Sequence, residues 1–135
     1  MKTAVDSMTV ADAMHHGVVT CDVDTPLSKV AQIMVGHWIH CVVVSSRTEQ
    51  ELPPWGVVSD LDLAAGFRHD GAADTPAGEV AATPAVMVWM REPLGRAVQL
   101  MTEHGVSHLV VIDRGSSRPV GVLSTLDVAR VVADA

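Results

Sequence analysis

Gly56-Val57-Val58-Ser59-Asp60-Leu61-Asp62 returns as Gly121-Val122-Leu123-Ser124-Thr125-Leu126-Asp127, displaced by 65 residues from 56 to 121. The likeness extends upstream. Thr25-Pro26-Leu27-Ser28 matches Glu92-Pro93-Leu94-Gly95, and Val30-Ala31-Gln32-Ile33-Met34 matches Ala97-Val98-Gln99-Leu100-Met101, now displaced by 67 residues from 26 to 93. His37-Trp38-Ile39-His40 meets His104-Gly105-Val106-Ser107 at the same spacing, and Val42-Val43-Val44 meets Leu109-Val110-Val111. The first copy therefore carries a loop two residues longer, and the chain is an internal duplication, which constrains the whole fold.

Each copy follows the same local grammar. Pro26 and Pro93 suit a helix start, and apolar residues at 27, 30, 31, 34 and at 94, 97, 98, 101 make the stripe of an amphipathic helix. Gly36 and Gly105 are expected at or just beyond the helix ends. The β-branched runs 39–45 and 106–112 are short enough for buried strands. Hairpin-like loops follow at Ser46–Pro54 and Arg114–Arg118, then strands at about 55–59 and 119–124, then helices from Asp60 and Thr125. A short helical turn at 9–14 or 76–81 and a strand near 18–23 or 85–90 open each copy. The expectation is an α/β fold of two repeats, 9–70 and 75–135, linked by Arg68–Thr75 and sharing one core with approximate two-fold symmetry.

Composition excludes several functions. A chain of 135 residues with 48% hydrophobic residues can bury a core without disulfides or metals. A formal charge of −7, with one Phe, three Trp and no Tyr, disfavours nucleic acid as a direct partner. Charge does not exclude a mononucleotide held by a local cluster of donors. No apolar stretch approaches the ~18 residues that span a bilayer, and residues 1–10 do not read as a secretory signal. We expect a cytoplasmic protein whose two cysteines, Cys21 and Cys41, are buried, reduced thiols.

Gly-x-x-Ser-x-x-Asp carries the chemistry. It sits twice at a strand-to-helix junction, where backbone N–H groups and the positive helix end favour an anion. The Ser hydroxyl can donate to a phosphate oxygen, and the Asp one turn later can accept from ribose hydroxyls. A structural reading stands beside this one: Ser59 and Ser124 are N-caps, Asp62 and Asp127 add favourable first-turn charge, and the glycines allow a close approach.

The duplicated Pro-Leu helix, the segments His37 to Val44 and His104 to Ile112, and Gly-Val-x-Ser-x-x-Asp together resemble the tandem CBS repeat, or Bateman module, over nearly all of residues 9–135. One departure is that Val42 and Leu109 stand where the family usually has Pro. The resemblance implies a non-catalytic regulatory module, without a required cofactor, that binds AMP, ADP, ATP or S-adenosylmethionine. It implies two clefts, each combining the Ser-x-x-Asp of one repeat with early residues of the other. Carried over, Met14, His15, Val19, Ile39 and His40 would line a first cleft with Ser124, Thr125 and Asp127, and His108 would be its cation. Ala81, Ala82, Val86, Val106 and Ser107 would line a second with Ser59, Asp60 and Asp62, where Cys41 replaces the histidine. The extra carboxylate of Asp60 opposes a phosphate, so the Asp127 cleft is expected to bind more tightly.

Rival readings are weaker. Zinc could be sought among His15, His16, Cys21, His37, His40 and Cys41, but His40 and Cys41 are adjacent on a strand and point to opposite faces. Catalysis lacks support, because Gly-x-Ser-x-Gly is absent and no Cys–His dyad is recognisable from spacing. An assembly module with empty clefts is the main alternative: CBS pairs associate into dimers through their helices, and Leu61, Leu63, Phe67, Leu126 and Val132 offer apolar faces for a homodimer or an unidentified protein partner.

Overall fold

The computed structural model describes residues 3–45, 54–68 and 70–134. The expected loop Ser46–Pro54 therefore lies, apart from Pro54, outside the described residues. The chain divides into two compact units, Met1–Val18 with Val86–Ala135, and Val19–Ala85. This division differs from the sequence repeat, because each unit contains the start of the other copy.

The first unit contains α1 (Ala4–Ser7), α2 (Val10–Ala13), β1 (His15–His16), β5 (Met87–Trp89), α6 (Leu94–His104), β6 (His108–Ile112), β7 (Pro119–Ser124) and α7 (Thr125–Ala133). Its sheet runs β1-β7-β6-β5. The second unit contains β2 (Thr20–Asp22), α3 (Leu27–His37), β3 (Cys41–Ser45), β4 (Gly56–Ser59), α4 (Asp60–Gly66), a 3₁₀ turn (Ala72–Asp74) and α5 (Ala77–Val80). Its sheet runs β2-β3-β4, and an isolated antiparallel bridge joins Val57 to Ala82 beside β4. That bridge is the counterpart of the β1–β7 pairing, in which His15 faces Val122 and His16 faces Gly121.

The expected strands and helices appear close to their predicted bounds, and the helical stripes face inward: Leu27, Val30 and Met34 on α3, and Leu94, Ala97 and Met101 on α6, are buried. Among the described residues, each unit has a buried cluster of its own. Val10, Met14, Val88, Leu94, Leu109, Val111 and Leu123 belong to one cluster, and Cys21, Val30, Met34, Val42, Val44, Val58 and Ala77 to another. Each sheet closes its own core with one α-helical layer and a borrowed opening turn. In the expected linker 68–75, Ala72 is buried in the 3₁₀ turn, so part of that segment is packed structure.

Two glycine expectations divide. Gly105 caps α6 in the left-handed region at φ 63°, whereas Gly36 lies inside α3 and the left-handed cap there is Trp38, at φ 55°. An L side chain in that conformation costs about 1–2 kcal/mol, and here the side chain is 93% exposed.

Candidate functional site

The two strand-to-helix junctions are local in origin. A strand that ends at Ser and a helix that needs its first N–H groups covered make the pattern Ser-x-x-Asp a reciprocal cap. At α4 the Asp62 amide donates to Ser59 Oγ at 3.1 Å and the Ser59 amide to Asp62 Oδ2 at 3.0 Å. At α7 the Asp127 amide donates to Ser124 Oγ at 3.2 Å, the Ser124 amide to Asp127 Oδ2 at 2.8 Å, and Ser124 Oγ to the same oxygen at 3.0 Å. The capping reading of the motif is thus present in both copies.

The motif glycines have an equally direct cause. A Cβ on Gly56 would sit 2.5 Å from the Ala82 carbonyl oxygen, and one on Gly121 would collide with the His15 carbonyl oxygen. The backbone of the opposite copy's opening segment passes too closely for any side chain.

Beyond the shared cap the junctions differ. Asp127 is 3% exposed, and its second oxygen is occupied: His15 Nε2 lies 2.8 Å from Oδ1 and Arg130 Nη1 donates to it at 3.0 Å. His15 and Arg130 are themselves 3.4 Å apart and mostly exposed. The counterparts of these two residues in the second unit are Ala82 and Ala65, which bring no cation. Asp62 is only half-buried. Beside it, His40 Nδ1 meets Asp60 Oδ2 at 3.0 Å, and Asp60 Oδ1 accepts from the Leu61 amide at 2.9 Å.

The helix ends differ accordingly. The first amides are covered alike, Asp60 by the His40 carbonyl and Thr125 by the Ser107 carbonyl. The next amide in α4 is taken by Asp60, but among the described residues nothing accepts the Leu126 amide of α7, where Thr125 has no carboxylate. One donor and two cationic or protonatable side chains therefore edge the Ser124–Asp127 junction.

The predicted first-cleft residues Met14, His15, His108, Ser124, Thr125 and Asp127 belong to the first unit, and Val19, Ile39 and His40 to the second. Within the first unit, His108 faces Ser124 across the β6–β7 ladder, and its Nδ1 lies 2.9 Å from Ser107 Oγ. Of the second set, Cys41, Ser59, Asp60, Asp62, Ala81 and Ala82 belong to the second unit, and Val86, Val106 and Ser107 to the first. Cys41 faces Ser59 as His108 faces Ser124. Arg130 escaped the sequence reading, although its i,i+3 spacing from Asp127 on a helix was a usable signal.

A cavity of about 370 Å³ lies elsewhere, lined by Trp89, Met90, Arg91, Glu92, Asp113, Arg114 and Gly115. It flanks the ends of β5 and β6 remote from the His108–Ser124 pair, and the Arg114 guanidinium stacks 4.2 Å over Trp89 within it. Trp89 and Arg114 already satisfy each other, so the motif chemistry weighs more than this groove.

Both cysteines are buried and unbridged. Burial, then the nearby carboxylates of Asp62 and Asp60, pushes the Cys41 thiol up to about 12, and burial pushes Cys21 up to about 11 against a lowering hydrogen bond from Thr25, with the charge on Asp22 raising it further. Thiolates are the reactive form. The native thiols should therefore react with a disulfide reagent at pH 8 at least about a hundredfold more slowly than the urea-unfolded chain. Their preference for the neutral form stabilises the fold fully below the ordinary value of 9.0 and is lost as pH rises through about 11 to 12. Rapid labelling of both thiols in the folded protein would contradict this burial.

Among the described residues, no group of three or more His, Cys, Asp or Glu side chains is placed to hold a metal ion, and no helix is long and apolar enough to cross a membrane.

Comparison with known proteins converges on one family. The CBS domain model matches residues 10–68 and again 77–134. No curated protein matches the sequence. Among solved structures, a CBS domain pair in complex with 5′-methylthioadenosine and S-adenosyl-L-methionine is 18% identical, covering 94% of this chain and 97% of that chain with a TM-score of 0.81. A CBS domain protein from Pyrobaculum aerophilum complexed with AMP is 25% identical, covering 95% and 100%, with a TM-score of 0.76. Hypoxic Response Protein I with two coordinated zinc ions is 26% identical, covering 91% and 98%, with a TM-score of 0.69.

Proposed function

The chain belongs to the CBS domain family, carrying two copies in tandem, and from this premise we propose that it is a non-catalytic sensor module that binds an adenosine-containing nucleotide. The observation that carries the reading is the Ser124–Asp127 junction: a buried carboxylate suited to ribose hydroxyls lies beside an uncovered helix amide, His15 and Arg130. The AMP bound by the Pyrobaculum aerophilum relative supports the ligand class. AMP, ADP, ATP and S-adenosylmethionine are the candidates. The Ser59–Asp62 junction is the weaker site, since Asp60 already fills the helix end with negative charge.

The test is thermal unfolding of nucleotide-free protein with a panel of these ligands. A ligand at about a hundred times its dissociation constant adds roughly 2.7 kcal/mol, which should raise Tm by about 5 °C or more. Unchanged melting with all four at millimolar concentration, an excess over an ordinary sensor affinity of about micromolar, would leave the assembly reading in its place.

A second reading has its own observation. Leu61, Phe67, Leu126 and Val132 are exposed on or beside α4 and α7, Leu61 at 75% and Val132 at 59%. Leu63, also expected on the exposed side of α4, instead packs against the second unit's core. We propose that the exposed residues of α4 and of α7 each contribute to homodimer contacts, compatible with nucleotide sensing. Light scattering at about tens of micromolar, a range suited to modest interfaces, should give at least a dimer, and Leu126→Glu should weaken it. A monomer throughout that range would end the proposal.

A further inference from the structure

Asp127 is the carboxylate best shielded from solvent at either junction, yet its Oδ1 is the oxygen a ribose would need. Oδ2 is committed to the Ser124 amide and hydroxyl, which hold the start of α7 in place. A ligand diol must therefore displace His15 and Arg130 from Oδ1. Those two side chains come from separate elements, β1 and α7, and both are mostly exposed, so they can swing away without disturbing the core.

We infer that His15 and Arg130 form an exchangeable latch that selects adenosine ligands bearing a 5′-phosphate over those without one. This rests on the nucleotide-binding reading above. In the empty site the latch neutralises a buried carboxylate. When ribose hydroxyls take over Oδ1, the released guanidinium loses its counter-ion and becomes available to a new anion. A phosphate supplies that anion and regains charge-assisted hydrogen bonds, whereas an unphosphorylated nucleoside leaves the cation without one. The uncovered Leu126 amide at the same helix end adds a donor of the same preference. Ala65 and Ala82 deny the second junction any such exchange.

AMP and adenosine share base and ribose and differ only in the phosphate, so their affinity ratio isolates the effect. Titration calorimetry on the full chain should find AMP at least about tenfold tighter than adenosine. Arg130→Gln should reduce that ratio to about threefold or less, weakening AMP and tightening adenosine, which no longer has a guanidinium to displace, and Arg130→Lys should restore much of it by keeping the charge. His15→Gln should lower the ratio by a smaller factor. Melting temperatures of each variant report whether it is folded. Equal binding of AMP and adenosine by the wild type would overturn the latch while leaving the nucleotide-binding reading intact. Parallel losses for both ligands in Arg130→Gln would reduce Arg130 to a positioning residue for the carboxylate and also overturn it. Binding of neither ligand would sink the underlying reading and the latch with it.

Discussion

Asp127→Ala is expected to destabilise the chain by about 2–3 kcal/mol, against about 1 kcal/mol for Asp62→Ala. The two substitutions remove the same element, the carboxylate half of a capping box, and a lost cap costs about 1 kcal/mol. Among the described residues, Asp127 has contacts that Asp62 does not: the Ser124 hydroxyl on one oxygen, and Arg130 and His15 on the other, all on a group with 3% exposure. The full cost of breaking a buried ion pair, about 3–5 kcal/mol, is not expected, because Arg130 and His15 remain solvated when the carboxylate goes. Urea unfolding of the three proteins measures the difference. The same variants test the ligand: Asp127→Ala should weaken nucleotide binding by about tenfold or more, and Asp62→Ala should matter less. Equal losses from the two substitutions, in stability and in affinity, would mean that His15 and Arg130 contribute nothing at this site.

Gly121→Ala should cost about as much without removing any functional side chain. Its Cβ would fall on the His15 carbonyl oxygen, which is backbone held in the β1–β7 ladder and cannot rotate aside. Either the strand pair opens or β7 shifts, at about 2–4 kcal/mol, a fall in Tm of about 10 °C for a domain of this size. Gly56→Ala should behave alike, with the Ala82 oxygen at 2.5 Å and Thr83 Cγ2 at 2.7 Å from the added carbon. Gly36→Ala is the control. It lies inside α3 with nothing within 4 Å, so the alanine should leave stability unchanged or raise it by about 0.5–1 kcal/mol. Full tolerance of alanine at 121, measured by thermal unfolding, would show that the opening segment does not press against β7 as described.

The sequence by itself determined the duplication, the order of elements and the two capped junctions, because these depend on local rules. A stripe at i, i+3, i+4 makes a helix amphipathic wherever it packs, and Ser-x-x-Asp caps a helix with its own atoms. The need for glycine at 56 and 121 was legible as a close approach, but what approaches was not. Only the tertiary structure decided that residues 14–16 lie against β7 and residue 82 against β4, since such strand pairing is long-range and leaves no periodic trace at the partner position. The same cause kept His15 from being read as the partner of Asp127, which lies far away in sequence. Trp38 was decided by tertiary structure for another reason: helix α3 continues through Gly36, whose helical conformation needs no glycine, and leaves the left-handed turn to the residue that follows the helix. Ser124 and Asp127 were therefore visible in the chain as a motif, whereas the cations that distinguish this junction from its twin became visible only once folding had set β1 beside β7.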